Sequence, residues 1–320
     1  MFQRILVPLD GSSRAEQALP VAARLAQVSG GSIHLLQVID LGSGYDGGLG
    51  TASFVTEQSV EIEMTQSMDY LSTATTSSKL LGIPTTTEVL FGLPAQNILA
   101  TAASREIDLI ILCSHGRTGF TRWALGSFAH TLAHESTVPI LVLRKNEGVS
   151  LPSSAENARP LRALVPLDGS RLSEAALIPA AQLVAALAAP AQGALHLSQV
   201  VTPVPTDEKE GSVRETNEEA LQSARVYLAQ VTEHLQTTIK DLKLSLTSSV
   251  ECEKDVATTL LHLEEHKIEG MGSCDLIAIS THGRGGLERW VMGSVTDRLL
   301  TTTKLPMLIV RPQKTGIVQP

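Results

Sequence analysis

Two stretches of this chain gather residues suited to holding an anion. His115-Gly116-Arg117-Thr118-Gly119 is followed by Gly126-Ser127, and His282-Gly283-Arg284-Gly285-Gly286 by Gly293-Ser294. Glycines let backbone N–H groups turn towards a ligand with no Cβ in the way. A helix opening at Gly126-Ser127 or Gly293-Ser294 adds unpaired N–H donors and the positive end of its dipole. The serine there either bonds a phosphate oxygen or simply caps the helix. Arg117, Arg122, Arg284 and Arg289 would supply charge to a polyphosphate. From 116 to 127 and from 283 to 294, 7 of 12 positions are identical, including Gly116, Gly119, Gly126 and Ser127 of the first stretch. Repetition in such detail favours a functional loop over a chance glycine-rich turn, although common descent of two halves would give the same identity.

These loops need elements to hold them, and the chain supplies the same elements twice. RILVPLDG at 4–11 returns as RALVPLDG at 162–169, and VPILVLR at 138–144 as LPMLIVR at 305–311. So long a period means two whole domains and not a solenoid. In the first copy, strands are expected over Ile5 to Leu9, Ser32 to Val38, Thr85 to Leu90, Leu109 to Cys113 and Ile140 to Leu143, as short apolar runs. Between them stand a helix after a Ser13–Glu16 capping box, a long helix from Val55 to Leu81, one from Pro94 to Ser104 and one from Ser127 to Glu135. Pro20 and its counterpart Pro179 bend the first helix or lie in its first turns. The second copy repeats the order, with strands at Ala163 to Leu167, His196 to Val200, Ser245 to Val250, Leu276 to Ser280 and Met307 to Val310. Its helices start at Ser173, run from Glu215 to Lys240, and start at Val256 and Ser294. Strict alternation predicts parallel sheets with right-handed crossovers. The expected fold is α/β: two doubly wound domains, each a five-stranded parallel sheet with helices on both faces. The first covers 1–146 and the second 160–320, with a Ser-, Glu-, Asn- and Pro-rich linker at 147–159. In such sheets ligands bind beyond the carboxyl ends of the strands. Asp10 and Asp168, just past the first strand of each copy, sit at that edge. They can accept a ligand's donors, or close an Asx turn before Gly11 and Gly169.

Composition narrows the function. Of 320 residues, 43% are hydrophobic and 18% charged, a globular balance, and only 3% are aromatic, so Ala, Val, Leu and Ile must build the core. A net charge of −8 argues against a nucleic-acid or anionic-membrane surface, which needs clustered Lys and Arg. It leaves room for a small anion held by local donors. Cys113, Cys252 and Cys274 are too sparse for a disulfide framework and fit a reducing compartment. Met1-Phe2-Gln3-Arg4 leads straight into the first strand, and the apolar region around Ala175 to Ala189 carries Pro179 and Gln182 and is short for a bilayer. The expectation is a cytoplasmic protein.

With these motifs in this order, the chain resembles a tandem universal stress protein. That family's nucleotide signature is Gly, two residues, Gly, nine residues, Gly, then Ser or Thr. Gly116 and Gly283 match its second glycine, and Gly126-Ser127 and Gly293-Ser294 its end; Cys113 and Ser280 stand where its first glycine belongs. The resemblance implies ATP-class binding, with magnesium as a possible companion, by Gly116, Arg117, Gly119, Gly126 and Ser127 in one copy. In the other it implies Gly283, Arg284, Gly286, Gly293 and Ser294. Asp10 and Asp168 would lie near the adenosine or metal end, and Val38 and Val200 beside the base, where ordinary strand core is an equal reading. The resemblance further implies that the apolar last strands associate, here within one chain as a pseudo-dimer with Ile140 and Met307 facing each other's domain. A further homodimer is compatible with it. The expected activity is adenine-nucleotide binding in a stress response with little turnover. The alternatives are an interaction module that has lost the nucleotide and a slow ATPase.

Other signals weigh less. Gly42-Ser43-Gly44-Tyr45-Asp46-Gly47 fits a dinucleotide fingerprint but follows the second strand with no helix after it. No P-loop lysine is present, and no Ser–His–Asp arrangement makes His115 or His282 catalytic. His262 and His266 with Glu264 and Glu265 lack zincin order and read as a solvated helix face. Cys113 reads as a small strand-end residue before a redox thiol. Trp123 and Trp290 read as loop packing, and Asp207 to Glu219 as a solvated loop and helix start.

Overall fold

The computed structural model describes residues 2–40, 57–114, 127–144, 159–203, 210–265, 273–283 and 292–312. The chain divides into two compact units, 2–146 and 147–320. The linker expected at 147–159 lies outside the described residues except for Arg159.

The first unit holds β1 (Arg4–Leu9), α1 (Ala18–Ser29), β2 (Ser32–Ile39), α2 (Glu57–Thr75), β3 (Thr85–Phe91), α3 (Pro94–Ser104), β4 (Leu109–Cys113), α4 (Ser127–Glu135) and β5 (Ile140–Leu143). The second holds β6 (Arg162–Leu167), α5 (Arg171–Glu174), α6 (Leu177–Ala188), β7 (Gly193–Val201), α7 (Glu210–Thr238), β8 (Leu244–Cys252), α8 (Val256–Glu265), β9 (Leu276–Ser280), α9 (Ser294–Thr302) and β10 (Met307–Val310). Strand order is β3-β2-β1-β4-β5 in the first unit and β8-β7-β6-β9-β10 in the second. The pairings are parallel, with Leu9 opposite Gln37 and Leu167 opposite Gln199. Order reverses between β1 and β4, and again between β6 and β9, which opens a crevice at the strands' carboxyl ends.

The strands are apolar runs because helices cover both faces of the sheet. Ile5, Leu6, Leu109, Ile110, Leu164 and Ile277 are fully buried. Each such side chain contributes roughly 1.5–3 kcal/mol by leaving water. With few aromatics, the helices come close to the sheet on alanines: Ala18, Ala22 and Ala26 of α1, and Ala180, Ala181 and Ala188 of α6, are all buried. Arg171–Ala188 has the length and mean hydropathy of a membrane span, contrary to the expectation from its sequence, but 56% of it is buried inside the second unit. It is also broken between α5, which ends at Glu174, and α6, which starts at Leu177.

That break corrects the expected helix start. The cap in the first unit is Ser12 and not Ser13: its Oγ accepts from the Ala15 N–H at 3.2 Å, and a short 3-10 turn, Ala15–Gln17, precedes α1. In the second unit Ser170 caps α5 through the Ser173 N–H at 3.2 Å. Pro20 and Pro179 stand third in α1 and α6, within the first turn, where no intrahelical N–H bond is lost. The expected long helix from Val55 is α2, ending at Thr75, followed by a 3-10 turn at Ser78–Leu80.

Candidate functional site

The second unit encloses a cavity of about 1090 Å³ at the carboxyl ends of β6, β7 and β9. Each element delivers its residues for a local reason. β6 ends in Asp168-Gly169, and Gly169 has a φ of 85°, a left-handed turn that glycine takes without strain. The turn aims the Asp168 carboxylate back: its Oδ1 accepts from the Ser170 N–H at 2.9 Å and the Ser170 hydroxyl at 2.6 Å. The Asx turn is therefore real. The other oxygen, Oδ2, faces Gly283, where a Cβ would overlap it and stand 3.0 Å from Cγ. Asp168 and Gly283, 115 positions apart, are thus brought into direct apposition.

At the end of β9 the loop is tied at its root. The Ser280 hydroxyl donates to the His282 carbonyl at 3.0 Å, and the Gly293 N–H donates to the Thr281 carbonyl at 2.8 Å. The Thr296 hydroxyl donates to the Ser280 carbonyl at 3.0 Å. The N–H of Gly293 is therefore already used. The donors that α9 leaves without intrahelical acceptors are those of Ser294, Val295 and Thr296, all three of which line the cavity. Gly293 itself has an ordinary φ of −60°, and a Cβ there would lie 3.4 Å from the Thr281 carbonyl oxygen. Neither backbone conformation nor protein neighbours demand glycine at that position.

The remaining walls are α7 and α8. Ala220, Ala224 and Tyr227 fall on one stripe of α7, and Val256 and Leu260 on one stripe of α8. Val200 is half-buried on β7 and lines the same space. Asp168 is the acidic residue among the described lining residues, and no Lys or Arg is among them. Among the described residues no cluster of three or more His, Cys, Asp or Glu forms a metal site.

Of the residues singled out in sequence, Asp168, Val200, Ser280, Gly283, Gly293 and Ser294 all line this one cavity. Arg284, Gly286, Arg289 and Trp290 lie outside the described residues, as do His115, Gly116, Arg117, Gly119, Arg122, Trp123, Gly126 and the side chain of Ser127. The first unit's described part repeats the second's. Asp10 Oδ1 accepts from the Ser12 N–H at 3.0 Å and its hydroxyl at 2.6 Å. Gly11 has a φ of 80°. Val38 is half-buried near the end of β2. Cys113 ends β4 with its thiol pushed up to about 12 by burial and by the Asp10 carboxylate, so it is protonated and unreactive at neutral pH. The fingerprint-like 42–47 lies outside the described residues. Glu264 departs from the solvated face expected for it: it is buried and accepts from the Thr303 hydroxyl at 2.6 Å, closing the end of α9.

Sequence reasoning missed three repeated features. Tyr70 donates to Glu16 at 3.2 Å, and Tyr227 to Glu174 at 3.0 Å. Burial and the adjacent carboxylate raise both phenols above their usual range, so each stays a neutral donor. His34 and His196 are buried on β2 and β7 and reach across to the neighbouring strand. Gln37 and Gln199 each carry a buried Oε1 with no partner. The available signal was their recurrence in IHLLQV and ALHLSQV.

The family model for the universal stress protein family matches residues 1–144 and again 161–311. The chain belongs to the universal stress protein family. A universal stress protein of Mycolicibacterium smegmatis is 26% identical over 316 residues, covering 97% of each chain. One of Methanocaldococcus jannaschii is 28% identical over 145 residues, 45% of this chain and 84% of that protein. The crystal structure of a universal stress protein from Archaeoglobus fulgidus covers 96% of this chain and 98% of its own, with a TM-score of 0.63 at 19% identity. That likeness carries the fold: two universal stress protein domains in tandem.

Proposed function

We propose that this universal stress protein binds an adenine nucleotide, ATP or its products, in the second domain's cavity, with little turnover. The carrying observation is the apposition of Asp168 with Gly283 in the wall of a cavity that also receives the α9 N-terminus. A space of about 1090 Å³ accommodates a nucleotide, since small-molecule sites run to roughly 300–1,000 Å³. The apolar walls suit a base, and the N–H groups of Ser294, Val295 and Thr296 suit phosphate oxygens. Arg284 and Arg289 would add charge, and Asp168 would accept ribose or base donors or stand near a magnesium ion carried in on the phosphates. Asp168 Oδ1 is already engaged by Ser170, and no other described lining residue is a carboxylate to activate water, which supports binding over hydrolysis. Mass spectrometry of the denatured purified protein tests this: ATP, ADP or AMP is expected to co-purify. A protein that carries none and takes up none on incubation belongs to the interaction-module reading. The equivalent loop of the first domain is proposed as a second site of the same kind. From the apolar sequences of the last strands, we also propose that they associate within the chain. An Ile140→Cys/Met307→Cys pair is expected to cross-link intramolecularly on mild oxidation, and a monomeric, uncross-linked product counts against it.

A further inference from the structure

The helix α7 turns one face to the sheet and an adjoining one to the cavity. Ala224, Leu228, Val231 and Leu235 are buried and form the seam that packs on β7 and β8. Ala220, Ser223, Ala224 and Tyr227 line the cavity, at the spacing i, i+3, i+4 and i+7 that shares one face of a helix. Tyr227 thus stands beside the seam and not within it. It is half-buried, whereas its neighbour Leu228 is 1% exposed. Ala220, Ser223 and Ala224 are small, so the phenol ring is the one broad surface that this stripe gives the cavity. Among the described lining residues Tyr227 is the only Phe, Tyr or Trp, in a chain that is only 3% aromatic.

The ring is also fixed before any ligand arrives. Its hydroxyl donates to Glu174 Oε1 at 3.0 Å, from α7 to α5. The side chain is therefore held at both ends, and only rotation about its own long axis remains. The Asp168 carboxylate helps to keep the phenol protonated, which sets the ring close to the acidic wall of the cavity. An aromatic face held in this way loses little freedom when a flat ligand settles on it. Every nucleobase has a π-face, and stacking on an aromatic side chain uses that face without reading the base's edge. Val200, Val256 and Leu260 line the same space and add apolar surface, but none of them is flat. We propose that the Tyr227 ring is the platform on which the base of the nucleotide stacks. The proposal rests on the nucleotide site proposed for the second domain and adds the side chain that holds the face of the base.

The test titrates the full chain and its Tyr227→Phe and Tyr227→Leu variants with ATP and magnesium by calorimetry. Phe keeps the ring and loses the bond to Glu174, which is half-buried and can turn to water. Leu loses both. The Phe variant is expected to bind ATP within about twofold of the unaltered chain, and the Leu variant to bind about 10-fold more weakly at one site, the worth of stacking one base. Circular dichroism establishes that each variant is folded. A folded Leu variant that binds ATP as tightly as the unaltered chain overturns the platform. So does a Phe variant as weak as the Leu variant, which would assign the effect to the Glu174 bond. A second readout needs no loss of affinity. In the saturated complex of the unaltered chain, adenine H2 or H8 is expected to show an intermolecular NOE to the Tyr227 ring protons, identified by their loss from the tyrosine signals of the Phe variant. Saturable ATP binding without that NOE overturns the stacking and leaves the site intact. Absence of saturable ATP binding by the unaltered chain overturns the nucleotide site itself.

Discussion

The two domains share a scaffold but finish it differently at equivalent positions. At the end of the fourth strand, the first has Cys113, whose Sγ lies 4.0 Å from the carbonyl of Ala15 in the turn before α1. The second has Ser280, whose hydroxyl bonds the His282 carbonyl and so fixes the first turn of that loop. On the second strand, His34 is bracketed by the Thr86 hydroxyl at 2.8 Å and the Glu88 carboxylate at 3.1 Å, itself paired with Arg105 at 2.9 Å. His196 meets two hydroxyls, Thr247 at 2.9 Å and Ser249 at 3.0 Å. What remains the same marks the framework: the Asp-Gly-Ser turn, the Tyr–Glu pair and the buried histidine. What differs marks where each domain has been tuned: at these two places the second has neutral hydroxyls, Ser280 and Ser249, where the first has a thiol, Cys113, and a carboxylate, Glu88.

The largest consequence concerns acid. Burial, with the nearby Arg162 charge, lowers His196 from 6.5 to about 4, and no carboxylate opposes that fall. Burial also lowers His34, but Glu88 pulls the other way. A histidine whose pKa falls on folding stays neutral in the native state while the unfolded chain takes up a proton. Its stabilising effect is whole above pH 6.5 and drains away as pH falls from 6.5 towards 4. For His196 the loss across that window comes to about 3 kcal/mol, because a tenfold change in proton affinity is worth about 1.4 kcal/mol. Denaturant unfolding across the same window, followed by a probe placed in the second domain, is expected to show this slope and to lose it in His196→Gln. A slope unchanged by the substitution would assign the acid sensitivity elsewhere.

A smaller effect follows from the strand ends. Ser280→Ala removes the bond to the His282 carbonyl and is expected to cost about 1 kcal/mol of stability, a typical net hydrogen bond. Cys113→Ala in the first domain should cost no more than the packing of one sulfur, since the described contact of its thiol, with the Ala15 carbonyl, is 4.0 Å long. Melting curves of the two variants sharpen or erase the contrast. Equal shifts would mean that the serine's bonds do nothing the cysteine does not.

Much of this was readable from sequence because the repeat repeats chemistry. Apolar runs gave all ten strands, and the positions after the first and fourth strands gave Asp168 and Gly283, which the fold then placed against each other. The capping residue differs from the sequence expectation by one place. Gly11 turns the chain through a positive φ and aims Ser12, not Ser13, at the helix. The pairs Tyr227–Glu174, His196–Thr247 and His196–Ser249 escaped notice because about fifty residues separate their members: parallel register of β7 with β8 joins the histidine to its hydroxyls, and the approach of α7 to α5 joins the tyrosine to its carboxylate. Gln199 was invisible for another reason: a glutamine in a strand reads as an ordinary polar position until burial leaves its oxygen without a partner.

The claim that the second domain's cavity holds an adenine nucleotide is tested most directly by the stoichiometry of ATP binding to the full chain and to its Gly283→Ala variant. A Cβ at Gly283 collides with Asp168 Oδ2, so the carboxylate must leave its place in the cavity wall. Losing one hydrogen bond to a charged group costs about 1.5–3 kcal/mol, or roughly 10- to 150-fold in affinity. Calorimetric titration with ATP and magnesium is expected to give saturable binding to the unaltered chain and a stoichiometry lower by one site in the folded variant. Unaltered stoichiometry and affinity in that variant, or no saturable heat with the unaltered protein, would contradict the account.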